Sequence, residues 1–90
     1  MTQTLHRSHP EILKRLKRAQ GHLRTVVEMV QAQRPCLDIA QQLHAVERAL
    51  VAAKKTLIHD HVVHCLERAA VARRGERAPL DEFKKITKYL

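Results

Sequence analysis

The sequence predicts an all-α fold, a three-helix protomer with two long helices and a short C-terminal one. Three observations predict it. Gly (2) and Pro (3) are scarce, so 90 residues have few places to turn. Aromatic residues make up only 2% of the chain, and its apolar positions are mostly Leu, Val, Ile and Ala, which suits helix packing. Those apolar residues recur at alternating spacings of four and three, the signature of a helical seam. Ninety residues form one domain, 1–90. So short a chain buries a limited core, and oligomerisation is the usual remedy.

Residues 1–7 read as a flexible arm. Ser8-His9-Pro10-Glu11 reads as a helix start, with Ser8 as N-cap, Pro10 in the first turn and Glu11 closing a capping box. Helix one follows on the seam Ile12, Leu16, Ala19, Leu23, Val26 and Val30, ending near Gln31. Ala32-Gln33-Arg34-Pro35 is the first break. Helix two runs from about Cys36 to about Ala72 on Ile39, Leu43, Val46, Leu50, Ala53 and Leu57, and His61 and Cys65 continue that line. A helix that long spans roughly 55 Å, well beyond the diameter of a 90-residue globule. Something outside the chain must therefore cover it. Arg73 to Pro79 is a basic turn. A short third helix, about 80–89, carries Leu80, Phe83, Ile86 and Leu90 on one side.

Charge narrows the partners. The formal net charge is +8, a balance that favours nucleic acid or an anionic membrane surface. There is no 18-residue apolar run for a membrane span, and the regular seams argue against a membrane-surface helix. The first residues hold no apolar secretory region, which predicts a cytoplasmic protein. Two cysteines in a reducing cytosol are thiols. They also lie near opposite ends of one helix, out of reach of an intrachain disulfide. No G-x-S-x-G, H-E-x-x-H or glycine-rich phosphate loop is present, so the chain is not read as an enzyme.

Two constellations remain. Cys36, His61 and Cys65 are soft, metal-competent residues. His61 and Cys65 are four apart, on one helix face, where both can bind one ion. Cys36 lies 25 steps earlier, roughly 37 Å along the helix. If the three share a site, Cys36 must come from a partner chain. Two thiolates and one imidazole suit Cu(I), while added imidazoles allow Ni(II) or Co(II). His6 and His9, on or beside the arm, and His64 are the candidates for that addition. The second constellation is a basic face of Lys14, Arg15, Lys17 and Arg18, joined by Lys54 and Lys55 of helix two. These residues suit phosphate contact. No helix-turn-helix or aromatic stacking platform accompanies them, so affinity for duplex DNA would come from a multimer presenting several basic faces.

Three stretches give the chain a specific resemblance over roughly residues 9–90. They are Arg15-Leu16-Lys17-Arg18-Ala19-Gln20-Gly21-His22-Leu23, Cys36-Leu37-Asp38-Ile39-Ala40-Gln41-Gln42-Leu43-His44-Ala45-Val46, and His59-Asp60-His61-Val62-Val63-His64-Cys65. They resemble the copper-sensitive operon repressor (CsoR/RcnR) family of bacterial metal-sensing regulators. The resemblance implies antiparallel dimers assembled into a homotetramer that binds operator DNA without metal. Metal bound across the dimer interface would then release the DNA and derepress efflux genes. Arg15 matches a family DNA-binding position. A second such position falls on Ala52, where Lys54 or Lys55 would substitute. Glu82 resembles a carboxylate that supports the metal ligands from helix three. Pro35 replaces a Tyr common in copper sensors, and Thr4 stands where nickel and cobalt sensors place a His ligand, with His6 and His9 nearby. A Met-Thr start departs from the formaldehyde-sensing branch, and His61 departs from the persulfide-sensing branch. The expectation is a Cu(I)-responsive repressor. Its alternatives are a Ni(II)- or Co(II)-responsive one and, from another class, a constitutive architectural nucleic-acid-binding protein.

Overall fold

The computed structural model describes residues 8–71 and 78–90. Three α-helices run in order: α1, His9–Gln31; α2, Cys36–Val71; and α3, Ala78–Ile86, which tightens into a 3₁₀ turn over Thr87–Tyr89. Among the described residues there is no strand, and no helix is long and apolar enough to cross a membrane.

The long helices follow from uninterrupted helix-forming sequence, and the break between them from its chemistry. At the end of α1 the chain reverses through Gln33, whose φ of 55° is left-handed. The amide of Arg34 donates to the carbonyl of Met29 at 3.0 Å, the six-to-one bond of a Schellman ending. Pro35 cannot extend α1, but its carbonyl accepts the amide of Ile39 at 3.1 Å and so opens α2. A connection this short folds α1 back along α2 as a hairpin. Outside the core, the His22 ring and the Gln42 side-chain oxygen, 2.7 Å apart, bridge the two helices.

Two details differ from the sequence reading. Ser8 does not close a capping box: it takes helical angles (φ −80°, ψ −14°) and makes no side-chain cap bond. Its carbonyl instead accepts the amide of Ile12 at 2.9 Å, so Ser8 acts as part of the first turn. The third helix starts earlier than expected, at Ala78, and Pro79 lies within its first turn. Proline is tolerated there because first-turn amides have no intrahelical acceptor. The predicted end of α2 at Ala72 and the basic turn from Arg73 to Arg77 lie outside the described residues.

The seam splits in two. On α1, Ile12, Ala19 and Val26 are buried, and on α2 so are Val46 and Ala53. The interleaved Leu16, Leu23 and Val30, with Leu43, Leu50 and Leu57, stay exposed. The hairpin thus satisfies one heptad position of each pair and leaves the other along an open groove. The molecule measures 60 × 24 × 16 Å, with a radius of gyration of 18.1 Å. A compact 90-residue globule would have roughly 12 Å. Helix α1 is 23 residues and α2 is 36, so α1 runs out first. Helix α3 packs on the C-terminal part of α2, and it is this arrangement that builds the site.

Candidate metal centre

One turn of α2 places His61 and Cys65 on the same face, and α3 brings Glu82 onto them. One ligand atom from each of the three lies within 4.8 Å of the others. Cys65 is the most deeply buried side chain among the described residues, 1% exposed. Its Sγ donates to Oε2 of Glu82 at 3.9 Å, a long contact. The same oxygen accepts Nη1 of Arg68 at 2.8 Å. Burial, first, and then the Glu82 charge push the Cys65 thiol above its ordinary pKa, while the Arg68 charge pulls it down. The thiol is therefore held as a thiol in the absence of a metal ion.

The donor set fits a metal ion. An imidazole nitrogen, a sulfur and a carboxylate oxygen converge from two helices, all within 4.8 Å of one another, close enough for small side-chain shifts to bring them onto one ion. Soft sulfur and nitrogen favour Cu(I), Zn or Ni, while the carboxylate suits harder ions.

Cys36 is not part of this cluster. It lies at the opposite end of α2 and is exposed. Among the described residues, neither His9 nor His64 joins the group of His61, Cys65 and Glu82. His9 opens α1 and His64 is half-buried on α2. His6 lies outside the described residues. Sequence reasoning missed Arg68. It is three residues past Cys65, hence on the same helix face, and that spacing could have marked it.

The basic residues sit on solvent. Lys14, Arg15, Lys17 and Arg18 are exposed on α1, and Lys54 and Lys55 on α2. Arg15 pairs with Glu11 one turn back, Nε to Oε1 at 3.3 Å. Lys17 and Lys54 border the open apolar groove, beside Leu23 and Leu50. Basic charge and unpartnered apolar surface are thus adjacent.

Known proteins are similar to this chain over most of its length. Residues 8–89 match the family model described as metal-sensitive transcriptional repressor. The chain is 40% identical over 89 residues to the copper-sensing transcriptional repressor CsoR of Bacillus subtilis (strain 168), covering 92% of this chain and 88% of that one. It is 35% identical over 77 residues to the copper-sensing repressor CsoR of Mycobacterium ulcerans (strain Agy99), covering 86% of this chain and 65% of that one. Among solved structures, it is similar to the nickel-responsive transcriptional regulator InrS, with a TM-score of 0.80, 33% identity and 98% of each chain covered.

Proposed function

Because this chain belongs to the metal-sensitive transcriptional repressors and is a regulator rather than an enzyme, we propose that it is a cytoplasmic Cu(I)-responsive repressor. In this reading the metal-free protein holds operator DNA, and Cu(I) bound by Cys36 of one chain with His61 and Cys65 of another releases it, derepressing efflux genes. One observation carries the reading. A half-buried His61 and a buried Cys65 are brought together towards one end of α2, while the second thiol stands exposed at the other end of the same helix. The two halves are incomplete in one chain, and an antiparallel pairing of two α2 helices brings them together.

The open groove supports that pairing. Leu23, Leu43, Leu50 and Val51 line it, and a second copy's groove offers the same aliphatic surface. Burying it in a dimer, and pairing dimers into a homotetramer, meets the need for cover along a 60 Å molecule. The assembly would present Lys14, Arg15, Lys17, Arg18, Lys54 and Lys55 from several chains to the phosphates of duplex DNA. Cu(I) would supply a soft centre that bridges thiolates of two chains. Regulation then requires that metal and DNA favour different arrangements of the assembly. Helix α2 is suited to couple them, since it carries both half-sites, half of each packing seam and two of the lysines.

A second reading, Ni(II) or Co(II) sensing, is favoured by the Glu82 oxygen inside the ligand cluster and by the likeness to a nickel-responsive regulator. His6, His9 or His64 would enlarge the coordination sphere. Operator release by the purified metal-free protein, measured against Cu(I), Ni(II), Co(II), Zn(II) and formaldehyde, separates these readings. Release by Cu(I) at the lowest free concentration supports the first, and release by Ni(II) or Co(II) the second. Release by none would leave a constitutive nucleic-acid-binding protein.

A further inference from the structure

We propose that Arg68 is a specificity-determining residue of the metal site. By holding the Glu82 carboxylate in an ion pair beside Cys65, it withholds that carboxylate from the ion and favours a soft, low-coordinate metal over harder divalent ones. The inference rests on reading His61 and Cys65 as ligands.

The geometry sets up a competition. A single oxygen, Glu82 Oε2, lies 2.8 Å from Arg68 Nη1 and 3.9 Å from Cys65 Sγ. The oxygen that faces the sulfur is thus the one the guanidinium occupies. A carboxylate drawn onto a metal must share or give up this bond. Divalent ions gain more from an added anionic oxygen than does Cu(I), which two thiolates and an imidazole already satisfy. The cost of releasing Glu82 from Arg68 therefore falls on the divalent ions. A guanidinium stays charged at all working pH values, so the competition is permanent. Arg68 is three residues from Cys65 on the same helix. Its position relative to the thiol is therefore fixed by α2, while Glu82 is carried by α3. Both partners are about two-fifths exposed (42% and 41%). A pair that open is weak, which suits tuning of a site and leaves the fold standing when it is removed.

Co(II) is the probe, because its absorption bands report both affinity and ligand number. Wild-type protein, Arg68→Met, Arg68→Lys, Glu82→Gln and the Arg68→Met/Glu82→Gln double variant are titrated with Co(II), and with Cu(I) in competition with a chelator. Arg68→Met should bind Co(II) roughly two- to fivefold more tightly than wild type, with visible bands altered by an added oxygen ligand. Its Cu(I) affinity should change by no more than about twofold. Arg68→Lys, which keeps the charge, should retain most of the wild-type discrimination. In the Glu82→Gln background the Arg68→Met gain should vanish. Unchanged or weakened Co(II) binding in Arg68→Met, or a gain that survives Glu82→Gln, would overturn the proposal. Failure of wild-type protein to bind Cu(I) through its thiolates would sink the copper reading alone, because the Co(II) comparison does not depend on it.

Discussion

At one end of α2, Cys36 stands in solvent on the first turn of the helix; at the other, Cys65 is 1% exposed beneath α3, with Glu82 and Arg68 against it. The two thiols share one continuous helix and differ only in what covers them. Helix α1 is too short to reach the far end of α2, so α3 closes that end and assembles a polar cluster there. Among the described residues nothing does this for Cys36. One half of the candidate site is therefore built within a protomer, and in the proposed reading the other half comes from a neighbour. The same division runs along the seam, where Ala19 and Val46 are buried and Leu23 and Leu50 are not.

The sharpest way to break this comparison is to separate the two ends genetically. Cys36→Ala and Cys65→Ala homomers should each lose more Cu(I) affinity than the roughly 10- to 100-fold that a supporting residue costs. Mixing the two variants through unfolding and refolding should restore about one quarter of the sites, since half of random dimers are mixed and each mixed dimer has one intact pair. Chelator competition counts them. No recovery from folded, mixed chains would refute a site shared between subunits.

The seam gives the next largest effect. Leu50 is 44% exposed in the protomer, so Leu50→Glu should cost the isolated chain little. If a second copy covers the groove, the substitution buries an unpaired charge. Sedimentation should then show dissociation, and operator affinity should fall by at least roughly tenfold, because fewer basic faces act together. An undisturbed oligomer would place the interface elsewhere.

The Cys65 end should also carry a pH dependence of its own. Its thiol pKa is raised, chiefly by burial and then by Glu82. A raised pKa means the folded chain prefers the protonated thiol. That stabilisation is present below the ordinary thiol value and is lost as pH rises through the raised one. The metal-free protein should accordingly lose thermal stability in the alkaline range, above about pH 9, as followed by circular dichroism. Glu82→Gln should soften the loss and Cys65→Ala should remove this contribution. The same proton opposes metal binding, so Cu(I) affinity should rise with pH.

The smallest effect lies in the turn that leads into the Cys36 end. Gln33 occupies a left-handed conformation that costs a residue with a Cβ about 1 kcal/mol. Gln33→Gly should stabilise the protein by no more than about 0.5 kcal/mol, net of glycine's greater freedom when unfolded. Cu(I) affinity should not change. A loss of stability would mean that the Gln33 side chain makes a contact in the assembly.

Much of this was legible in the residues. The spacing of Ile12 through Val30 and of Ile39 through Leu57 predicts both long helices, and Pro35 marks the break between them. The separation of Cys36 from His61 already excludes a single-chain site with all three ligands. Helix periodicity is local, repeating every 3.6 residues, and so is written in the sequence. The capping box at Ser8 failed for the complementary reason: the residue types fit, but the backbone adopted helical angles, which composition does not dictate. Arg68 was missed because an arginine on a basic chain looks like solvated charge until its partner is known.

By itself the sequence determined the helical class, the two long elements, the basic balance, and the ligand types at positions 36, 61 and 65. Only the tertiary structure decided which half of each seam is buried, and that α3 docks so that Glu82 reaches both Cys65 and Arg68. The first set depends on neighbours a few bonds or one turn apart. The second depends on where α1 ends along α2 and how α3 returns to cover the remainder, a matter of packing between segments whose relative placement no local pattern encodes.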